Sequence, residues 1–252
     1  MQSFQTFLAE SAKSDKYERD ISDHINSKIK GISSERPKVS TKYSDLKLTS
    51  DGGEQSWLEV KMNHTDNLAN PRIYFDGSKW ATTYTMKSAH RAVEIMNKSQ
   101  TAKDFIKAIA EFSGIKKPKI PTTIRGLKDK NAVPLEIMKE YFSQPGINRY
   151  LEALPNVNLG ETITDHYLNN KAEPAYYMQA GDDFYMVGRT NPLKLTAKGI
   201  PLLAGTGAFK VRIATRSTYY EVQAELKIIK MPDSKYSIKP GTKKKNPFEG
   251  LK

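Results

Sequence analysis

Cysteine is absent from this chain of 252 residues. That excludes a disulfide framework, thiolate metal sites and cysteine nucleophiles. Histidine is scarce: His24, His64, His90 and His166 are the four present, and none stands at a metal-ligand spacing from another, so a structural zinc site is not expected. No run of about 18 apolar residues occurs, so no segment is expected to cross a bilayer. The first residues lack the basic start and apolar stretch of a secretory signal. Acid is in short supply as well: 28 Asp+Glu face 40 Lys+Arg, which leaves a formal charge of +12. A soluble chain with that surplus is expected to meet a polyanion, and nucleic acid is the commonest one. The length allows one large domain or two small ones, with core enough to fold without staples.

Hydrophobic spacing outlines the elements. Phe4, Phe7 and Leu8 share one face of a short helix over 1–10, and Tyr17, Ile21, Ile25 and Ile29 mark a second over 14–30 that Gly31 stops. Residues 43–62 alternate on both sides of Asp51-Gly52-Gly53 and read as a β-hairpin, with a further strand at 72–75. Helices are expected at 87–98 and 101–113, the latter opened by a Thr101/Asp104 capping pattern, and again at 134–143 and 145–154. From 175 the pattern turns to strands: YYMQA and FYMVG around Gly181-Asp182-Asp183, then AFKVRIATR and YYEVQAELKII. The polar end, 232–252, with Lys243-Lys244-Lys245, reads as a loose basic tail.

The sharpest chemistry lies on the hairpin. With the turn near 51–53, position 45 falls opposite 59. Side chains alternate along a strand, so Glu59 and Lys61 share a face with Asp45, while Leu46, Leu48, Leu58 and Val60 point into a core. Two carboxylates so placed favour a hard divalent cation, Mg²⁺ or Mn²⁺, which polarises a phosphoryl oxygen and acidifies a bound water. A lysine beside them is expected to orient or help deprotonate that water and to offset charge in the transition state. Glu18, on the preceding helix, is a candidate to complete the metal shell or to hold a metal-bound water. Asp51 and Asp182-Asp183 sit at turns, where Asp is ordinary turn chemistry.

Asp45, then thirteen residues, then Glu59-Val60-Lys61, behind a helix and on a hairpin, resembles the PD-(D/E)XK nuclease superfamily over residues 14 to about 100. Ser44 stands where the motif's first letter would be Pro. The resemblance implies an α/β (α+β) fold, a helix followed by a mixed sheet with flanking helices. It also implies metal ligands at Asp45 and Glu59, and a catalytic lysine at Lys61. The division expected on this reading is a core over 11–115, a basic loop and helical connection over 116–174, a β-rich DNA-contacting part over 175–231, and the tail over 232–252.

Two regions carry the cations expected to hold DNA. Loop 115–134 has three prolines, six basic residues and Asp129 as its one acid; Lys117, Lys119 and Arg125 are its candidates for phosphate contact. The strand around 209–216 alternates Phe209, Val211 and Ile213 with Lys210 and Arg212, and Arg216 follows. Such a stripe suits a phosphate backbone and makes binding salt-sensitive. Arg72, close behind the motif, is a further candidate.

The first ten residues, MQSFQTFLAE, resemble the capsid-targeting sequence of internal head proteins of T-even-type phages. That resemblance implies docking on a prohead scaffold and cleavage by the prohead protease between Glu10 and Ser11. It further implies a place in the phage head interior and passage with DNA into the host cytoplasm. Without it the expected location is cytoplasmic. Taken together, the reading is a Mg²⁺-dependent DNA endonuclease with no membrane partner, and a homodimer is compatible with it. One alternative is a non-enzymatic DNA-binding or host-defence-blocking head protein. Another is a restriction-type or junction-resolving nuclease outside virions.

Overall fold

A computed structural model describes residues 4–37, 44–63, 67–121, 129–169 and 172–251. In chain order the elements are α1 (Phe4–Lys28), β1 (Ile32–Glu35), β2 (Leu46–Ser50), β3 (Gln55–Lys61), β4 (Asn67–Ala69), β5 (Arg72–Phe75), β6 (Trp80–Ala81), α2 (Lys87–Lys98), α3 (Gln100–Ser113), α4 (Leu135–Tyr141), β7 (Tyr150–Asn158), α5 (Leu159–Asn169), β8 (Ala175–Ala180), β9 (Asp183–Met186), β10 (Thr206–Thr215) and β11 (Tyr220–Lys230). The fold is mixed α+β.

These elements form two compact units. The first comprises Met1–Asp66, Asn158–Gly205 and Ile229–Lys252; the second comprises Asn67–Val157 and Thr206–Ile228. This differs from the sequential division at 115, 174 and 231. Strands far apart in the chain pair with one another, so each unit is assembled from separate stretches.

The first unit is built on a five-stranded mixed sheet in the order β1-β2-β3-β8-β9. Leu46 pairs with Leu58 and Leu48 with Ser56 across the β2–β3 hairpin, the register expected from the turn. Gly53 supplies the positive φ of that turn, at +88°. β8 lies parallel to β3, with Glu59 beside Met178 and Lys61 beside Ala180. Leu46, Leu48, Leu58 and Val60 enter one core with Ile21 and Ile25 of α1. The two helices read over 1–10 and 14–30 are a single helix, α1. No Gly or Pro interrupts residues 4–28, so nothing breaks the helical run.

The C-terminal segment is packed, not loose. Phe248 is buried, with its ring edge-on to Phe184 at 5.6 Å. Lys244 reaches the buried Asp183 at 2.6 Å, and Tyr236 bridges to Lys245. A few aromatic residues inside a polar stretch are enough to dock it, which composition alone does not reveal.

The second unit has strand order β6-β5-β11-β10-β7, with β4 also paired to β11. Helices α2, α3 and α4 bury Met96, Phe105, Ile109, Met138 and Tyr141 together with Ile73, Val211, Ile213 and Val222. Ser99, rather than Thr101, caps α3 by accepting from the Ala102 N–H at 3.1 Å. The helix expected over 145–154 is replaced by strand β7, with helix α5 following it. Pro155 lies inside this segment and opposes a helix there; it is tolerated because β7 is the edge strand of its sheet.

Candidate functional site

The β2–β3 pairing, continued one residue beyond Leu46 and Leu58, sets Asp45 opposite Glu59. Alternation then gives one face of the sheet Asp45, Glu59 and Lys61, and gives the other the leucines of the core. Each charged group is fixed in place. The Val60 N–H donates to Asp45 Oδ2 at 2.8 Å. Lys61 Nζ donates to Glu59 Oε1 at 2.6 Å, and Glu59 is only 3% exposed. Tyr167 of α5, fully buried, hydrogen-bonds to Glu59 through its phenol. Asp45 is half-buried at the head of β2.

The electrostatics follow from this crowding. Burial, and then the charge of Glu59, push the Asp45 carboxyl up to about 7. Lys61 and the Val60 N–H oppose that rise, and Glu18 adds to it. Burial works against the Lys61 ammonium, but the charge of Glu59, that of Asp45 and the hydrogen bond to Glu59 outweigh it and hold Lys61 well above its ordinary range. The Tyr167 phenol is raised by burial and by Glu59, so it stays protonated as a donor.

Two hard carboxylates that repel each other in a partly dry site fit Mg²⁺, which commonly takes one or two carboxylates and completes its shell with water and phosphate oxygens. Among the described residues, no group of three or more His, Cys, Asp or Glu side chains is placed to hold a metal ion. Glu18 therefore does not join the pair as a third ligand. Arg36 holds it at 2.9 Å and holds Asp15 at 2.5 Å, so Glu18 acts on Asp45 through its charge.

The expected DNA contacts divide into engaged and exposed. Arg72 pairs with buried Glu221 at 2.9 Å, and Arg212 with buried Glu225 at 3.3 Å. Lys210 lies over the Tyr150 ring at 5.6 Å, and Lys119 pairs with Asp129 at 2.8 Å. Of the stripe on β10, Arg212 is thus neutralised by Glu225 of neighbouring β11, while the other buried acid of β11, Glu221, serves Arg72 of β5. Lys117 and Arg216 are exposed. Arg125 lies outside the described residues, and Glu10 and Ser11 fall in α1, with their side chains outside them.

Tyr167 and Arg36 were not legible as site residues. Tyr167 lies in a helix that local patterning did not reveal, and its partner is on a strand far back in the chain.

No family model matches the chain, and no curated protein does either. Among solved structures, HhaI endonuclease in complex with DNA is similar over 86% of each chain, at 10% identity and a TM-score of 0.35. A likeness that faint carries no argument about fold or function.

Proposed function

We propose that this chain hydrolyses phosphodiester bonds of DNA, with Mg²⁺ or Mn²⁺ held by Asp45 and Glu59. The observation that carries the reading is the convergence of two carboxylates and an ammonium on one sheet face, with Asp45 held by the Val60 N–H and Glu59 and Lys61 bonded to each other. The helix-then-mixed-sheet build of the first unit, with α5 as a flanking helix, agrees with the PD-(D/E)XK resemblance.

Asp45 and Glu59 would hold such an ion, which would supply polarisation of a phosphoryl oxygen and a more acidic water. The protein's own part is positioning. Val60 fixes Asp45, and Tyr167 fixes Glu59. Lys61 remains an ammonium, because the surrounding negative charge holds its pKa high. As an ammonium it is suited to donate a hydrogen bond to the attacking water or to a phosphate oxygen. In the reaction one P–O bond forms to water, one breaks, and the leaving oxygen gains a proton.

The test is incubation with supercoiled plasmid in Mg²⁺ and in EDTA. Nicking or linearisation with Mg²⁺ alone, abolished in Asp45→Ala, Glu59→Gln and Lys61→Ala, is the expected result. Full activity in all three folded variants overturns the assignment. A salt-sensitive gel shift without cleavage supports the non-enzymatic DNA-binding reading instead.

The N-terminal decamer is a separate proposal, resting on its resemblance to capsid-targeting sequences. Cleavage after Glu10 would remove one acid and no Lys or Arg, raising the charge from +12 to +13. Mass spectrometry of virions checks it: a peptide beginning at Ser11 is expected, and absence of the protein from virions refutes packaging.

A further inference from the structure

The sheet face that carries Glu59 continues into a groove of about 540 Å³. Its lining includes Glu35 of β1, Lys47 of β2, Gln55 and Trp57 of β3, Glu173, and Tyr176 of β8. Pairing places several of these in one row across the strands: Glu35 is opposite Lys47, and Lys47 is opposite Trp57. On β8 Trp57 pairs with Ala175, and Tyr176 follows at a register shift, two residues before Met178, the partner of Glu59. Trp57 is likewise two residues before Glu59. The groove therefore begins one pleat from the carboxylates, about 6.6 Å along the strands.

Its chemistry differs from that of the carboxylate site. Two half-buried aromatic side chains supply flat apolar walls. Two carboxylates against one lysine make it a poor place for a phosphate, yet they accept well from exocyclic amino groups of a base. Gln55 adds an amide that both donates and accepts. The volume falls within the ~300–1,000 Å³ of ordinary ligand sites.

We propose that this groove holds an unpaired nucleobase of the DNA strand whose neighbouring phosphodiester is cut at Asp45 and Glu59. The inference rests on the nuclease reading and narrows its substrate. A base within a duplex is stacked and paired, so its faces and amino edges are not offered to such a groove. The favoured substrate is then DNA with an unpaired nucleotide beside the cleaved bond, as in a single strand, a gap or a flap.

The experiment uses the full chain in EDTA, so that binding is read without hydrolysis. The probes are a mixed-sequence single-stranded 12-mer and the same 12-mer with abasic sites. The base-bearing strand is expected to bind about tenfold tighter, the scale of stacking on an aromatic side chain. Tyr176→Ala, or Trp57→Phe with Tyr176→Ala, is expected to bring that ratio close to one while affinity for the abasic strand stays. Equal binding of the two strands by the unaltered protein overturns the subsite, whether or not the variants fold. Plasmid nicking in Mg²⁺ is read in parallel. Cleavage without base discrimination overturns the subsite alone. Base-dependent binding without cleavage keeps the subsite and overturns the nuclease reading.

Discussion

Asp45 is the residue whose chemistry depends most on its surroundings. Burial and the charge of Glu59 raise its carboxyl from 3.8 to about 7. A folded pKa above the unfolded one means that the folded chain holds the extra proton between those values. Metal-free stability should therefore fall as pH rises from about 4 to 7, through this group. Thermal melts in EDTA across that range check the slope. Asp45→Asn should flatten it, and Mg²⁺ should restore stability to the unaltered protein near pH 7. A melting temperature that does not respond to Asp45→Asn at any pH in that window would count against the repulsion described here. Tyr167 offers a second check. Tyr167→Phe keeps the ring and removes the hydroxyl that Glu59 accepts from. A hydrogen bond to a charged group contributes about 1.5–3 kcal/mol, so cleavage should drop roughly tenfold or more if Glu59 loses its orientation. Cleavage unchanged in a folded Tyr167→Phe would reduce Tyr167 to a packing residue.

At the scale of elements, strand pairing builds the site and a docked segment closes the core beneath it. The β2–β3 hairpin alone sets Asp45 against Glu59, and parallel β8 covers the far edge of β3. The core beneath takes Phe248 from the C-terminal segment, stacked edge-on against Phe184. Phe248→Ala should cost about 3–5 kcal/mol, the usual loss for a buried aromatic ring. Urea unfolding measures it; a midpoint within error of the parent's would mean that the segment is docked only weakly. Gly31 belongs to the same arrangement, since a Cβ there would stand 2.8 Å from the Leu251 carbonyl oxygen. The backbone of that turn thus needs both a positive φ of +84° and the absence of a side chain.

For the molecule as a whole, the formal +12 already counts each ion pair as zero, so pairing decides which cations stay open to DNA rather than the size of the surplus. Arg72, Lys119 and Arg212 are in ion pairs, and Lys244 is bound to Asp183. Lys117 and Arg216 are exposed. Replacing either exposed residue by Ala should lower the salt dependence of DNA affinity by about 0.9 in log–log slope for each phosphate that is no longer neutralised. Arg212→Ala should instead take one charge partner from buried Glu225 and cost about 1–3 kcal/mol of stability, with the slope unchanged. Affinity titrations at several salt concentrations, paired with melts, separate the two outcomes. The local signals carried a good part of the design. The hairpin register, the alternation at Phe209–Ile213, and helices α2 and α3 follow from period and turn chemistry, which act over a few residues. Pro155 shows the limit: it argues against a helix, yet only pairing with β10 makes that segment a strand. The same limit governs charge. The sequence by itself determined that Asp45, Glu59 and Lys61 share a face, because alternation along paired strands leaves no other arrangement. Only the tertiary structure decided that Tyr167 orients Glu59, that Arg36 takes Glu18, and that the arginines of β5 and β10 serve buried acids. Those partners meet where distant segments pack together, which no spacing in the chain encodes.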